Sequence, residues 1–179
     1  YIDETAVDER HHRGWQVHIA HVPQAIYLAD TSIAENIAFG VPPEAIDLDR
    51  IREAAQRAQI ASTIESWSQG YDTFVGERGI RLSGGQRQRI GIARALYKRA
   101  DVLVFDEATN ALDSDTEKAV IEEIDSLGED LTIIMVAHRL TTLKNCDQII
   151  ELDGGVVSRI ATYQDIAGRA DDQQEEIAL

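Results

Sequence analysis

Cysteine is almost missing from this chain. Cys146 is the single one among 179 residues, so no internal disulfide framework can form. That usage fits a reducing compartment. Long apolar runs are missing as well. Runs such as Val102-Leu103-Val104-Phe105 and Ile133-Ile134-Met135-Val136-Ala137 fall far short of the roughly 20 residues that span a bilayer. No basic-then-apolar stretch of the secretory type stands at the start. Positive charge is scarce: 17 Lys and Arg face 32 Asp and Glu, for a formal charge of -15. So acidic a surface repels phosphate backbones, and no nucleic-acid partner is expected. The first residue is Tyr1 rather than Met, which leads us to expect a fragment of a longer protein.

What is present reads as globular. Apolar residues make up 44%, charged residues 27% and aromatics 6%, which excludes wholesale disorder. The length suits one domain with a real core. Residues 17–22 read as a strand ending at Pro23, with a loop at Gln24. Ser32 and Glu35 form a capping box over a short helix. Residues 47–66 read as one helix, with Asp49 as cap and Ile51, Ala54, Ala55 and Ala58 at helical spacing. Ser83 and Gln86 open a helix running to about Tyr97. The acid-bounded run 101–106 reads as a strand covered on both faces, as in a parallel sheet, and 131–137 as a second buried strand. Between them, Ser114 and Glu117 suggest a third capping box, with Val120, Ile121 and Ile124 on one helix face. Strand, helix and strand with short links imply a right-handed crossover. Residues 148–158 read as a hairpin around Asp153-Gly154-Gly155, and 171–179 as an acidic tail.

The sharpest local feature is Leu82-Ser83-Gly84-Gly85-Gln86. Its plain structural reading is a capped helix start. Its functional reading is an anion site: two glycines let the backbone approach a phosphate, the serine hydroxyl donates, and the helix dipole favours negative charge.

This pentapeptide resembles the signature sequence of ABC-type ATPases. Four further stretches match that family in order. Gln24 after Val22-Pro23 resembles the Q-loop. Val102-Leu103-Val104-Phe105-Asp106-Glu107 resembles the Walker B strand with its following glutamate. Asn110-Ala111-Leu112-Asp113 resembles the D-loop, with Asn where the family more often has Ser. His138, after the second apolar strand, resembles the H-loop histidine. The segment 31–40 and Val75-Gly76-Glu77-Arg78-Gly79 are similar to exporter sequences, the latter to their X-loop. Chromosome-organising relatives insert a coiled coil between Q-loop and signature. This interval holds no heptads.

The resemblance implies an α/β, P-loop NTPase-like ABC ATPase fold, incomplete without the Walker A strand, with an inserted α-helical subdomain. Residues 1–24 would be partial core leading to the Q-loop. Residues 25–100 would hold the Q-loop, helical subdomain and signature helix, and 101–170 the core with Walker B, D-loop and H-loop. It implies ATP and Mg²⁺ as cofactors. Asp106 and Gln24 would serve the metal, a hard carboxylate suiting Mg²⁺. Glu107 would act as general base. His138 would bond the γ-phosphate, and Gln24 would tie the site to transmembrane domains. Ser83, Gly84, Gly85 and Gln86 would face nucleotide held by a second nucleotide-binding domain in a head-to-tail pair, with Asp113 reaching across that interface. The implied location is the cytoplasmic face of a membrane. His11, His12, His18 and His21 receive no role, and Cys146 is expected to be inert.

One part is not there. A Walker A loop needs Gly-Lys followed by Ser or Thr. The three lysines, Lys98, Lys118 and Lys144, follow Tyr97, Glu117 and Leu143. Gly79 and Gly84 have the right spacing, but Gly85 occupies the lysine position. Tyr1-Ile2-Asp3-Glu4 resembles the stretch just downstream of Walker A. The expectation is therefore an exporter domain without its N-terminal portion, with open sheet edges and no ATP hydrolysis by itself. The alternative is a non-catalytic module that offers only its signature face.

Overall fold

The computed structural model describes residues 12–126 and 131–167, apart from 110 and 138. The expected tail, Asn110 and His138 lie outside the described residues. In chain order the elements are α1 (His12–Gln16), β1 (Ile19–Val22), α2 (Ile33–Ile37), α3 (Leu48–Arg57), α4 (Ala61–Glu65), α5 (Gly84–Lys98), β2 (Val102–Asp106), α6 (Ser114–Asp125), β3 (Thr132–Val136), β4 (Ile149–Asp153) and β5 (Val156–Ala161). The chain divides after Val136 into two compact units.

In the first unit β1, β2 and β3 form a parallel sheet in that order. The parallel β2–α6–β3 unit follows the expected strand, helix, strand reading. Leu103 and Phe105 of β2 are buried, as are Ala20 and Val22 of β1. The opposite face corrects the expectation of strands covered on both sides. Ile134 and Val136 are each 50% exposed, and Val102 and Val104 only half-buried. Among the described residues β3 pairs only with β2, so its outer edge has no strand partner.

The helical segment packs Ile33, Ile37, Ile51, Ile60, Ile64 and Ile90 into one core, all with no exposed surface. Each such side chain contributes about 1.5–3 kcal/mol. Ser32 caps α2 with Glu35 returning the bond, as its sequence suggests. The single helix over 47–66 is corrected to two. Gln59 has φ +55, its N–H donates to the Gln56 carbonyl at 2.9 Å, and the Ile60 N–H donates to the Ala55 carbonyl at 3.0 Å. That is a Schellman closure, held by burial of Ile60 rather than by a glycine. The cap is Asp47 rather than Asp49: its Oδ1 accepts from the Asp49 and Arg50 N–H groups at 3.1 and 3.0 Å.

The second unit holds the β4–β5 antiparallel hairpin, whose turn glycines Gly154 and Gly155 have φ +55 and +80. Positive φ at both central positions matches a type I′ turn.

Candidate functional site

Strand register builds the first cluster. Val22 of β1 lies opposite Phe105 of β2, so the two carboxyl ends stop side by side. Gln24 follows one end, and Asp106 and Glu107 close the other. Gln24 Nε2 donates to Glu107 Oε2 at 2.6 Å across 83 residues of sequence. Glu107 sits at φ +50. A non-glycine residue there costs about 1–2 kcal/mol. Its N–H donates to the Val136 carbonyl at 2.9 Å, which ties the turn to the end of β3 as well. In open α/β sheets ligands bind beyond the carboxyl ends of the strands. Asp106 and Glu107 are half-buried there, and Gln24 is exposed.

The start of α5 and the Ala111–Asp113 turn build the second cluster. Ser83 Oγ accepts from the Gln86 N–H at 3.2 Å, and Gln86 Oε1 accepts from the Ser83 N–H at 2.8 Å. Gln86 is thus engaged by the cap, while the Ser83 hydroxyl keeps its proton to donate. A Cβ on Gly85 would stand 3.2 Å from the Ala111 carbonyl oxygen, and one on Gly84 3.8 Å from the Ala111 Cβ. The room those glycines leave is therefore occupied on one side by the chain's own turn.

Asp113 caps α6, which corrects the expected Ser114–Glu117 box. Its Oδ1 accepts from the Thr116 N–H at 3.0 Å and its Oδ2 from the Thr116 hydroxyl at 2.8 Å. These bonds, helped by Arg89, hold the Asp113 carboxyl below the usual carboxylate range. Glu117 is buried and accepts from the Thr109 hydroxyl at 2.8 Å instead of returning to a cap. Arg89 donates to the Gln59 carbonyl at 2.7 Å and the Gly85 carbonyl at 3.3 Å. Burial pushes its guanidinium below its usual pKa, and Asp113 offsets part of that.

No group of three or more His, Cys, Asp or Glu side chains suited to a metal occurs among the described residues. Mg²⁺ is commonly held by one or two carboxylates with waters and phosphate oxygens, so the hard oxygens of Asp106 beside Glu107 fit it. Sequence reading missed Asn36 and Arg94. Asn36 stands three residues after Ile33, at helical spacing on the buried face of α2, a signal it could have used.

The geometry can be set beside known proteins. A family model described as "ABC transporter" matches residues 1–110. An ATP-dependent lipid A-core flippase of Francisella novicida is 44% identical over 149 residues, covering 83% of this chain and 25% of its own length. The flippase of the same description from Saccharophagus degradans is 43% identical over 169 residues, covering 94% and 28%. A solved bacterial Atm1-family ABC exporter with ATP bound superposes with a TM-score of 0.80 at 39% identity, over 87% of this chain and 27% of that one. The chain thus spans about a quarter of the length of the relatives it matches. Among the described residues no helix is long and apolar enough to cross a membrane.

Proposed function

Because the chain belongs to the ABC transporter family, we propose that it forms part of the ATP-binding and hydrolysing domain of an exporter, coupling hydrolysis to transport through transmembrane domains. The observation that carries this reading is the Gln24–Glu107 hydrogen bond beside Asp106 at the ends of β1 and β2. It supports a role for Glu107 as general base, its carboxylate accepting the proton of an attacking water while Gln24 fixes its orientation. Asp106 would hold Mg²⁺, which neutralises phosphate charge when bound. His138 would donate to the γ-phosphate. The Ser83 hydroxyl and the first amides of α5, at Gly84, Gly85 and Gln86, would face ATP carried by a second, head-to-tail nucleotide-binding domain. Asp113 would meet that partner. The site would lie at the cytoplasmic face of the membrane. Relatives named as lipid A-core flippases and an Atm1-family exporter favour the exporter class.

In the full-length protein Glu107→Gln should cut turnover by orders of magnitude and leave ATP binding intact. Unchanged turnover rejects Glu107 as the base. The 179-residue chain alone has no Gly-Lys to hold β- and γ-phosphates, so purified it should show no Mg²⁺-dependent ATP turnover. That same lack favours the second reading, a non-catalytic module presenting its signature face. The genomic sequence upstream of Tyr1 separates the two. A Gly-x-x-x-x-Gly-Lys-Ser/Thr stretch after hydrophobic spans of roughly 20 residues supports the enzyme, and an upstream stop codon supports the module.

A further inference from the structure

We propose that Arg94, on the helix that begins with the signature, is a positioning residue for Gln24. It seats the segment following Gln24 on α5, so that the Gln24–Glu107 pair is held in register with that helix. The proposal rests on the reading of Gln24 and Glu107 given above.

Arg94 lies in the third turn of α5, roughly 15 Å along the axis from Gly84. None of its hydrogen-bond partners among the described residues is a carboxylate. Its Nη1 donates to the Tyr27 carbonyl at 3.0 Å, its Nε to the Asn36 carbonyl at 2.8 Å and its Nη2 to Asn36 Oδ1 at 3.3 Å. The guanidinium also lies 4.7 Å from the centre of the Phe39 ring. Burial pushes it below its usual pKa. No ion pair among the described residues includes it. A half-buried cation without a counter-ion is costly unless dipoles surround it. Here backbone carbonyls and an aromatic face supply those dipoles, all of them from the 27–39 stretch.

Asn36 completes the clamp. Its Nδ2 donates to the Ala29 carbonyl at 3.0 Å, the Thr31 hydroxyl at 3.1 Å and the Ser32 carbonyl at 3.0 Å, and its Oδ1 accepts from the Ala29 N–H at 2.9 Å. An independent packing contact points the same way. A Cβ on Gly91 would stand 2.4 Å from Ile26 Cδ1, so Ile26 lies on the bare backbone of α5. Gln24 therefore sits in the middle of a three-residue tether, Pro23 to Ala25, two residues from Val22 in β1 and two from the seated Ile26. Two extended residues span at most about 7 Å. A shift of the seat leaves little slack, and Gln24 must move with it. Lysine cannot replace this fork, since it is a point donor where Arg makes three directed bonds.

Two measurements test the assignment. On the 179-residue chain, amide hydrogen exchange should quicken over residues 24–32 in Arg94→Lys and stay unchanged over 102–106. Unchanged exchange over 24–32 overturns the clamp, whatever the chain catalyses. In the full-length protein, Arg94→Lys should lower kcat by between about tenfold and 10²-fold, with the KM for ATP within about twofold. In a Gln24→Ala background the same change should add almost nothing, because both act through one group. A rise in KM at constant kcat, or additive effects, overturns the positioning role. If Glu107→Gln instead keeps full turnover, the reading of the site fails while the exchange result still judges the clamp.

Discussion

Replacing Asn36 by alanine should destabilise the chain by about 3 kcal/mol. The side chain has 0% exposure and uses both N–H groups and its carbonyl within the protein. Five contacts disappear, shared among two N–H groups and one oxygen, and each of those three groups is worth about 1 kcal/mol net. The Ala29 carbonyl keeps the Thr31 N–H and the Ser32 carbonyl keeps the helical Asn36 N–H, so neither is stranded. Arg94 loses one of its three polar acceptors. Against a total stability of about 5–15 kcal/mol this is a large share. It corresponds to a fall in Tm of about 6–12 °C for a chain of this size. Urea unfolding followed by tryptophan fluorescence measures it, since Trp67 packs against the same core. Asn36→Leu, which restores volume but no hydrogen bond, should cost nearly as much. A loss below about 1 kcal/mol in Asn36→Ala refutes the reasoning, because bonds of that kind would then not be holding the 29–36 segment.

Ser83→Ala should cost about 1 kcal/mol through loss of the α5 cap, and Ser83→Asp should recover most of it in the same urea assay. Bonds from Ser32 hold the Glu35 carboxyl below the usual carboxylate range, as Thr116 does for Asp113. A lowered folded-state pKa adds stability above the unfolded pKa and loses it as pH falls through the folded one. Stability should therefore decline on the acid side of the carboxylate range, and Ser32→Ala should flatten that limb; an unchanged limb would remove Glu35 from the account. The exposed face and open edge of β3 favour association between chains, so sedimentation should show concentration-dependent mass that Ile134→Lys reduces. A monomer at every concentration would count against it.

Features spanning three or four residues were legible in the chain itself. The Ser32–Glu35 and Ser83–Gln86 boxes stand where their spacing puts them, because a cap and its return partner are neighbours along one helix turn. The same spacing misled at Ser114–Glu117, where Thr109 captures Glu117 and Asp113 takes the cap. The break at Gln59 had no glycine to announce it, because burial of Ile60 decides it. The apolar runs of β2 and β3 correctly suggested a parallel sheet but not their exposed face.

By itself the sequence determined the family, through five short motifs in order, and the lack of a Gly-Lys pair. Both are properties of residue type at fixed spacing, which survive without any fold. Tertiary structure alone decided that Gln24 meets Glu107 and that Arg94 meets Tyr27 and Asn36. Those partners lie 83, 67 and 58 residues apart. Only strand register and helix packing bring them within bonding distance, because a hydrogen bond needs its atoms close and local spacing says nothing about which distant segments will meet.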